Sequence, residues 1–253
     1  MRIVFNSNTS FSIYNFRLGL MRHLKSNGFV PIAVSPEDDF SLPLKSEFDY
    51  YAVKNLDRKG TNPIKDMKLF FEYLIIFKNI KPSIVINYTI KPNIYGSLAC
   101  GILGIKSISV VTGLGYAFSK GIMLRELVKL MYRISFMFNR YVLILNHGDM
   151  EVIKKLVFEK KIFILNGEGV DTTRYNPYLF KEIKKDRNLI FLYIGRFLRE
   201  KGIYELVEAC KLLYKDRKDF ELWFLGSIDK GNPGSLSEEE LNQIKKLEFV
   251  KVL

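Results

Sequence analysis

Residues 189–204 read LIFLYIGRFLREKGIY. The apolar run Leu189 to Ile194 has the composition of a parallel-sheet strand buried on both faces. Gly195 ends it, Arg196 follows at once, and Glu200-Lys201-Gly202 comes just before a new helical pattern. This order lets the backbone approach a ligand at the glycine, offers the free N–H groups of a helix start, and adds two cations. It is the layout of an anion trap. The competing reading is a plain strand–loop–helix joint with Arg196 and Lys201 in solvent.

Upstream, strands and helices alternate. Ile3-Val4-Phe5 is a strand that ends in the polar loop Asn6 to Ser10. A helix is predicted from about Ile13 to Asn27, with Ile13, Phe16, Leu20 and Leu24 on one face and Gly28 as its stop. Val30 to Ser35 is a second strand. Pro36 to Lys59 reads as irregular, apart from a short strand near Tyr51-Ala52-Val53. Ile64 to Asn79 is helical up to Pro82, and Ile84-Val85-Ile86 is a central strand followed by the loop Asn87 to Pro92. A small-residue helix covers Asn93 to Leu103. Further strands at Ser107–Val111, Tyr141–Leu145 and Ile162–Leu165 complete this half.

That alternation predicts an α/β fold with a parallel sheet covered on both faces. Ligands of such sheets gather beyond the strand C-termini. Asn8, Thr9, Lys91, Gly113 (in the turn Thr112-Gly113-Leu114-Gly115) and Asn146 fall on that rim. Each is a candidate cleft residue, or simply a polar loop residue. The first unit has no GxGxxG, which counts against a dinucleotide-binding dehydrogenase.

Residues 167–188 show no clean period and hold Gly167, Gly169, Pro177 and the basic run Lys181 to Arg187, as a linker would. The chain thus divides into a Rossmann-like domain at 1–166, a linker at 167–188 and a second Rossmann-like unit at 189–253. The second unit has a helix to about Lys215, a strand Glu221–Leu225 closed by Gly226, and a loop rich in Gly, Asn and Pro. A capping box of Ser237 and Glu240 then starts a helix, and a last strand begins at Phe249. With three strands it is expected to be an incomplete domain, or else a compact appendage.

The chain carries 39 Lys and Arg against 27 Asp and Glu, a net charge of +12. That favours anionic partners: nucleic acid, anionic lipid or phosphate-bearing substrates. No helix-turn-helix, RNP or zinc signature is present and the cations are scattered, so nucleic acid ranks last. Cys100 and Cys210 sit in apolar patterns and suggest no disulfide framework, which points to a reducing cytoplasm. With His23 and His147 alone beside them, no metal-ligand cluster is expected. The N-terminus does not read as a signal peptide, and no run of about 18 apolar residues predicts a spanning helix.

One helical stretch, Met123 to Asn139, has two faces. Leu124, Leu127, Met131, Ile134 and Phe138 have the spacing of a core stripe. Arg125, Lys129 and Arg133 lie opposite, with Tyr132 and Phe136 among them. Aromatics mixed with cations suit the headgroup zone of an anionic membrane; alternatively Tyr132 and Phe136 are covered by another loop.

The segment GRFLREKG at 195–202 resembles the donor-phosphate motif of family 4 glycosyltransferases, which have two Rossmann-like domains in the GT-B fold. Further stretches carry the resemblance across the chain: NTSFSIYNFRLGLMRHLKSNGF from Asn8, INYTIKPNIYGSLA from Ile86, VVTGLGYAF from Val110, GVDTTRYNP from Gly169, and GSIDKGNPGSLSEEEL from Gly226. They are similar to bacterial members that extend lipid-linked oligosaccharides or O-antigen units. The resemblance implies retaining transfer of a sugar from a nucleotide-diphosphate sugar, UDP-linked, to a lipid-linked glycan at the inner face of the plasma membrane, without a metal or other cofactor. It implies that Gly195, Arg196 and Lys201 bind the donor diphosphate, and that Lys91 and Gly113 line the cleft near the sugar or acceptor. The family's paired glutamates, which contact the donor, would fall after Leu253. A C-terminally truncated enzyme, or a catalytically incomplete remnant that binds a glycan or a partner, is therefore expected.

Overall fold

Ile3 and Phe5 of the first strand enter one apolar core and Val4 enters another, so this strand is buried on both sides as a central parallel strand must be. The computed structural model describes residues 1–58, 60, 62–114, 122–179, 188–230, 232 and 234–253. It divides into two units, Met1–Asn176 and Pro177–Leu253.

The first unit is built on a seven-stranded sheet. Its strands are β1 (Arg2–Asn6), β2 (Val30–Ser35), β3 (Asp49–Ala52), β4 (Ile84–Tyr88), β5 (Lys106–Val111), β6 (Asn139–Ile144) and β7 (Ile162–Ile164). Their order is β3-β2-β1-β4-β5-β6-β7, and each pairing is parallel. Helices α1 (Ser10–Phe16), α2 (Leu18–Ser26) and α3 (Ser41–Glu47) link strands running outward to β3. Helices α4 (Pro63–Ile80), α5 (Ser97–Leu103), α6 (Ile122–Met137) and α7 (His147–Ile153) serve the opposite direction. Right-handed crossovers therefore put the two sets on opposite faces.

The expected helix from Ile13 to Asn27 is two helices. Arg17 leaves the helical region (φ −122°, ψ −9°) because its side chain turns inward. The stretch read as irregular contains α3, which is short but anchored by buried Ser41 and Leu44. The helix after β4 opens with a π turn over Pro92–Gly96, and Pro92 is tolerated there because a first-turn N–H would have no partner within the helix. Both cysteines are buried and unpaired.

Helix α6 is turned by roughly a quarter to a third of a revolution from the sequence expectation. Val128, Tyr132, Ser135 and Phe136 face the sheet. The rings of Tyr132 and Phe136 stack 4.7 Å apart, against Ile94, Val111 and Val142. The two aromatics read as membrane-facing are therefore core residues. The stripe read as core is split: Leu124 and Met131 pack at the margin of this core, while Leu127 (53 % exposed), Ile134 (45 %) and Phe138 (46 %) lie outside. Arg125, Lys129 and Arg133 sit at the edge of the buried face, where Lys129 donates to Glu126 (2.8 Å).

The second unit is a three-stranded parallel sheet, β10-β9-β8, of β8 (Leu189–Ile194), β9 (Phe220–Leu225) and β10 (Val250–Val252). Helices α8 (Ile203–Asp216) and α9 (Glu238–Lys245) pack on Phe220, Leu222 and Phe224. Strand β8 is not buried on both faces: it lies at the sheet edge and Ile194 is 70 % exposed. Both crossovers cover the same face, so alternate β8 side chains lack a helix to pack on. The division at 176/177 falls inside the stretch read as a linker, and residues 167–176 group with the first unit. The basic run Lys181 to Arg187 and Gly115 lie outside the described residues.

The register of α6 makes a stability prediction. Phe136→Ala should cost about 3–5 kcal/mol in urea unfolding. Leu130→Ala on the outer face should change stability by no more than about 0.5 kcal/mol. Equal costs would contradict this helix orientation.

Candidate functional site

The sheet order reverses between β1 and β4, and there the C-terminal ends of two strands open a crevice. A buried polar ladder fixes that point. Asn6 Nδ2 donates to Asn87 Oδ1 (2.8 Å), and Asn87 Nδ2 donates to Ser97 Oγ (3.2 Å), which meets Ser109 Oγ (3.2 Å). Gly96 is required here: an added Cβ would lie 2.3 Å from Asn87 Oδ1. The ladder locks β1, β4 and β5 together just beneath the rim.

Above it lies a cavity of about 240 Å³ lined by Asn8, Leu56, Arg58, Thr89, Ile90, Lys91, Thr112 and Gly113. Asn8, Lys91 and Gly113 meet there as the sequence reading expected. Thr9 does not join them: its Oγ1 accepts from Ser12 N (3.1 Å) and caps α1. Asn146 caps α7 in the same way, accepting from Asp149 N (2.8 Å).

Lys91 is less available than its position suggests. Its Nζ is 2.5 Å from Asp66 Oδ1, and Asp66 Oδ2 accepts from Tyr95 OH (3.0 Å). Burial, with Asp66 beside it, pushes the Tyr95 phenol well up, so it stays a donor. Lys91 thus brings a neutralised charge to the cavity wall, and Arg58 is the other cation there.

Thr89 stands out. It has φ +71°, a genuine strain for a β-branched residue. Its buried Oγ1 has no hydrogen-bond partner among the described residues. A strained threonine with an unpartnered hydroxyl at a cavity is the pattern of a ligand-contacting position. Sequence reasoning passed over it, because nothing in NYTIKP signals the left-handed backbone.

Behind the rim is a buried ion pair that the sequence also hid. Arg17 bonds Glu168, donates from Nη1 to Ser12 O and Ser12 Oγ (both 2.9 Å), and lies 4.4 Å over the Tyr88 ring. Burial lowers the Arg17 pKa and raises that of Glu168, each opposed by its partner's charge. Burial also lifts the Tyr88 phenol to about 12. The pair ties the 167–169 loop to β4 beside Thr89.

In the second unit, Gly195 ends β8 next to Gly226 at the end of β9. An added Cβ on Gly226 would lie 2.0 Å from Gly195 O, so glycine is obligatory there. Phe197 and Leu198 are buried and anchor the loop from below. The segment 229–236 buttresses it through Arg199 N to Gly234 O (2.8 Å) and Leu236 N to Phe197 O (2.9 Å). Arg196 is half-exposed, with Nη1 2.6 Å from Asp229 Oδ2. Lys201 is exposed, one residue before the Gly202 that opens α8 (φ +74°). Arg199 is committed elsewhere: it bonds Glu240 (2.6 and 2.8 Å) and Ser235 O (2.8 Å). That carboxylate is held down to about 2 by Arg199, the Ser237 N–H and Tyr204. The motif therefore presents Gly195, Arg196 and Lys201 at a strand end and a helix start, and uses Arg199 to brace them. Among the described residues, no group of three or more His, Cys, Asp and Glu is placed to hold a metal.

The family model described as "Glycosyl transferase 4-like" matches residues 2–146. The N,N'-diacetylbacillosaminyl-diphospho-undecaprenol alpha-1,3-N-acetylgalactosaminyltransferase of Campylobacter jejuni is 28% identical over 257 aligned residues, covering 96% of this chain and 67% of that protein. The capsular polysaccharide biosynthesis glycosyltransferase CapM of Staphylococcus aureus is 26% identical, covering 66% of this chain and 47% of its own length. The chain thus spans between about half and two thirds of these relatives. Among solved structures, a glycosyltransferase from Rickettsia africae superposes with TM-score 0.69 at 17% identity, over all of this chain and 68% of that one. HepE of Anabaena, solved in complex with UDP, gives 0.70 at 13%, over all of this chain and 69% of its own. The two parallel sheets, the crevice at the strand reversal and the match over more than half of the sequence converge: this chain belongs to the glycosyl transferase 4-like family and has the GT-B type of fold.

Proposed function

We propose that the protein transfers a sugar from a nucleotide-diphosphate sugar, UDP-linked, to a hydroxyl of a lipid-linked glycan, with retention at the anomeric carbon. The acceptor places the work at the inner face of the plasma membrane. The observation that carries the reading is the braced loop Gly195–Gly202, which offers Arg196 and Lys201 at a strand end and a helix start. In the reaction a bond forms between the acceptor oxygen and the anomeric carbon, and the bond from that carbon to the diphosphate breaks. The diphosphate leaves with the electron pair, and the acceptor hydroxyl passes its proton to an oxygen of that departing phosphate. Arg196 and Lys201 stabilise the charge that develops on the departing phosphate.

The pairing of Arg196 with Asp229 is compatible with this role. An exposed ion pair contributes about 0–1 kcal/mol, whereas a phosphate offers charge-assisted and bidentate bonds to a guanidinium. Asp229 keeps the arginine oriented until the donor arrives. Lipid-linked acceptance is supported by the Campylobacter relative, whose name specifies a diphospho-undecaprenol acceptor and an N-acetylgalactosaminyl group. In the first unit, the cavity at Asn8, Thr89, Lys91 and Gly113 is the acceptor side of this reading.

Two measurements test it. Titration calorimetry with UDP should show binding to the wild-type chain that weakens about 10- to 100-fold for Arg196→Ala, and again for Lys201→Ala. Unchanged affinity in both variants overturns the donor assignment. Thr89→Asn keeps a residue that tolerates the left-handed backbone. It should leave the unfolding midpoint equal or higher and lower the rate of sugar transfer to a lipid-linked acceptor; an undiminished rate removes Thr89 from the site.

A further inference from the structure

The outer face of α6 carries a stripe that no described element of the fold covers. Leu127, Leu130, Ile134, Met137 and Phe138 recur at helical spacing, and each is close to half exposed or more. On the same side of the sheet, α4 packs against α5 and α5 against α6. There α4 shows a second stripe, Ile64, Met67, Phe71 and Ile75, each more than half exposed. Soluble surfaces carry scattered apolar residues, but two stripes on helices of one face form a surface that calls for a partner.

Phe138 links the α6 stripe to a groove of about 570 Å³ at the N-terminal ends of β5 and β6. Four cations line that groove, Lys106, Arg140, Lys160 and Lys161, and no carboxylate does among the described residues. Lys161 Nζ donates to Met137 O (3.1 Å) and Asn139 O (3.0 Å), which ties the groove floor to the end of α6. Tyr141 lines the groove, with its ring edge-to-face on exposed Phe163. Along α6 itself Arg133 is exposed, and the neighbouring acid, Glu126, is already bonded to Lys129.

We infer that this α4–α6 face, with the basic groove at its end, docks the protein on an anionic phospholipid bilayer. The leucine and isoleucine side chains enter the interface, Tyr141 and Phe163 sit at headgroup depth, and the groove cations take lipid phosphates. Charge selects this occupant over a second copy of the chain. A two-fold contact through the face would bring one set of Arg133, Arg140, Lys106 and Lys160 toward the same set of the other copy, with no carboxylate of the groove among the described residues to offset it. Among the described residues no helix is long and apolar enough to cross a membrane, so contact through this face would be interfacial. The inference deepens the reading above by naming the partner of the first unit. Its test uses neither donor nor acceptor, so either can fail without the other.

The experiment is flotation of the full chain with phosphatidylcholine vesicles, with and without phosphatidylglycerol. The wild type should co-float with the phosphatidylglycerol vesicles, and added salt should weaken the binding. Leu127→Gln with Leu130→Gln should lower partitioning on the order of tenfold per leucine, at an unchanged unfolding temperature. Arg133→Glu with Arg140→Glu and Lys160→Glu should abolish the preference for phosphatidylglycerol. As a check that does not depend on the loss of binding, the Leu130→Trp variant should show a blue shift of its indole emission on adding the anionic vesicles, beyond any change in the wild type, whose one tryptophan is Trp223. No co-flotation of the wild type, equal partitioning of all variants, or no added emission shift in Leu130→Trp overturns the inference. So does light scattering that shows a wild-type dimer dispersed by the leucine changes.

Discussion

All seven strands of the first sheet point the same way, and the strand order turns back between β1 and β4. Everything at the candidate site depends on that constraint. Parallel direction puts every strand C-terminus at one edge, and the reversal sends the flanking helices to opposite faces, leaving an uncovered notch between Asn8 and Thr89. The buried ladder from Asn6 through Asn87 and Ser97 to Ser109 keeps the notch from shearing. It consists of neutral amides and hydroxyls joined one to the next, with Asn6 Oδ1 alone in it lacking a partner among the described residues, so it adds specificity of register without burying a charge. The charge buried nearby, Arg17, is matched by Glu168 and by the Tyr88 ring.

Much of this was legible in the sequence because it is local. Ile3-Val4-Phe5 and Ile84-Val85-Ile86 declare themselves as central strands, and a loop after such a strand falls on the rim whatever the helices do. The same locality recovered Gly195, Arg196 and Lys201 as one loop, and the capping box of Ser237 and Glu240. What stayed hidden is what depends on distant partners or on backbone angles. Lys91 reads as a free cation until Asp66, 25 positions earlier, reaches it. Arg17 reads as one residue of a continuous helix until Glu168, 151 positions later, draws it inward and breaks that helix. Thr89 carries no mark of its positive φ. Thr9 and Asn146 are polar rim residues by position, yet each spends its side-chain oxygen on a helix N-terminus.

Helix α6 shows why periodicity fixes a stripe but not the direction it faces. The stretch has two apolar arcs. One is Leu-rich and longer; the other is Val128, Tyr132 and Phe136 with small Ser135 between them. Counting hydrophobic residues favours the first as core. Packing favours the second, because two stacked rings fill the space over Val111 and Val142 more completely than separate leucines would. Arg125 and Lys129, which seemed to mark the ring face as wet, lie at its edge and extend from there to water. Leu127, Leu130 and Ile134 then remain outside, and their exposure is a property of the fold rather than of a single side chain.

The loop that follows β8 depends on how its arginines differ. GRFLREK contains three cations within six residues, and the sequence does not rank them. The fold does. Arg199 makes bonds to Glu240 and Ser235 O at once, with a carboxylate that also completes the cap of α9, so moving it would loosen the loop and the helix together. Among the described residues Arg196 meets a single carboxylate, Asp229, itself anchored by Asn232 Nδ2 (3.1 Å) and by its own N–H to Ser235 Oγ (3.0 Å). A guanidinium held at one corner by a fixed acid has already lost part of its freedom, which need not be lost again on meeting an anion. Preorganisation of this kind, rather than the number of cations, is what distinguishes Arg196 from Arg199 in this stretch.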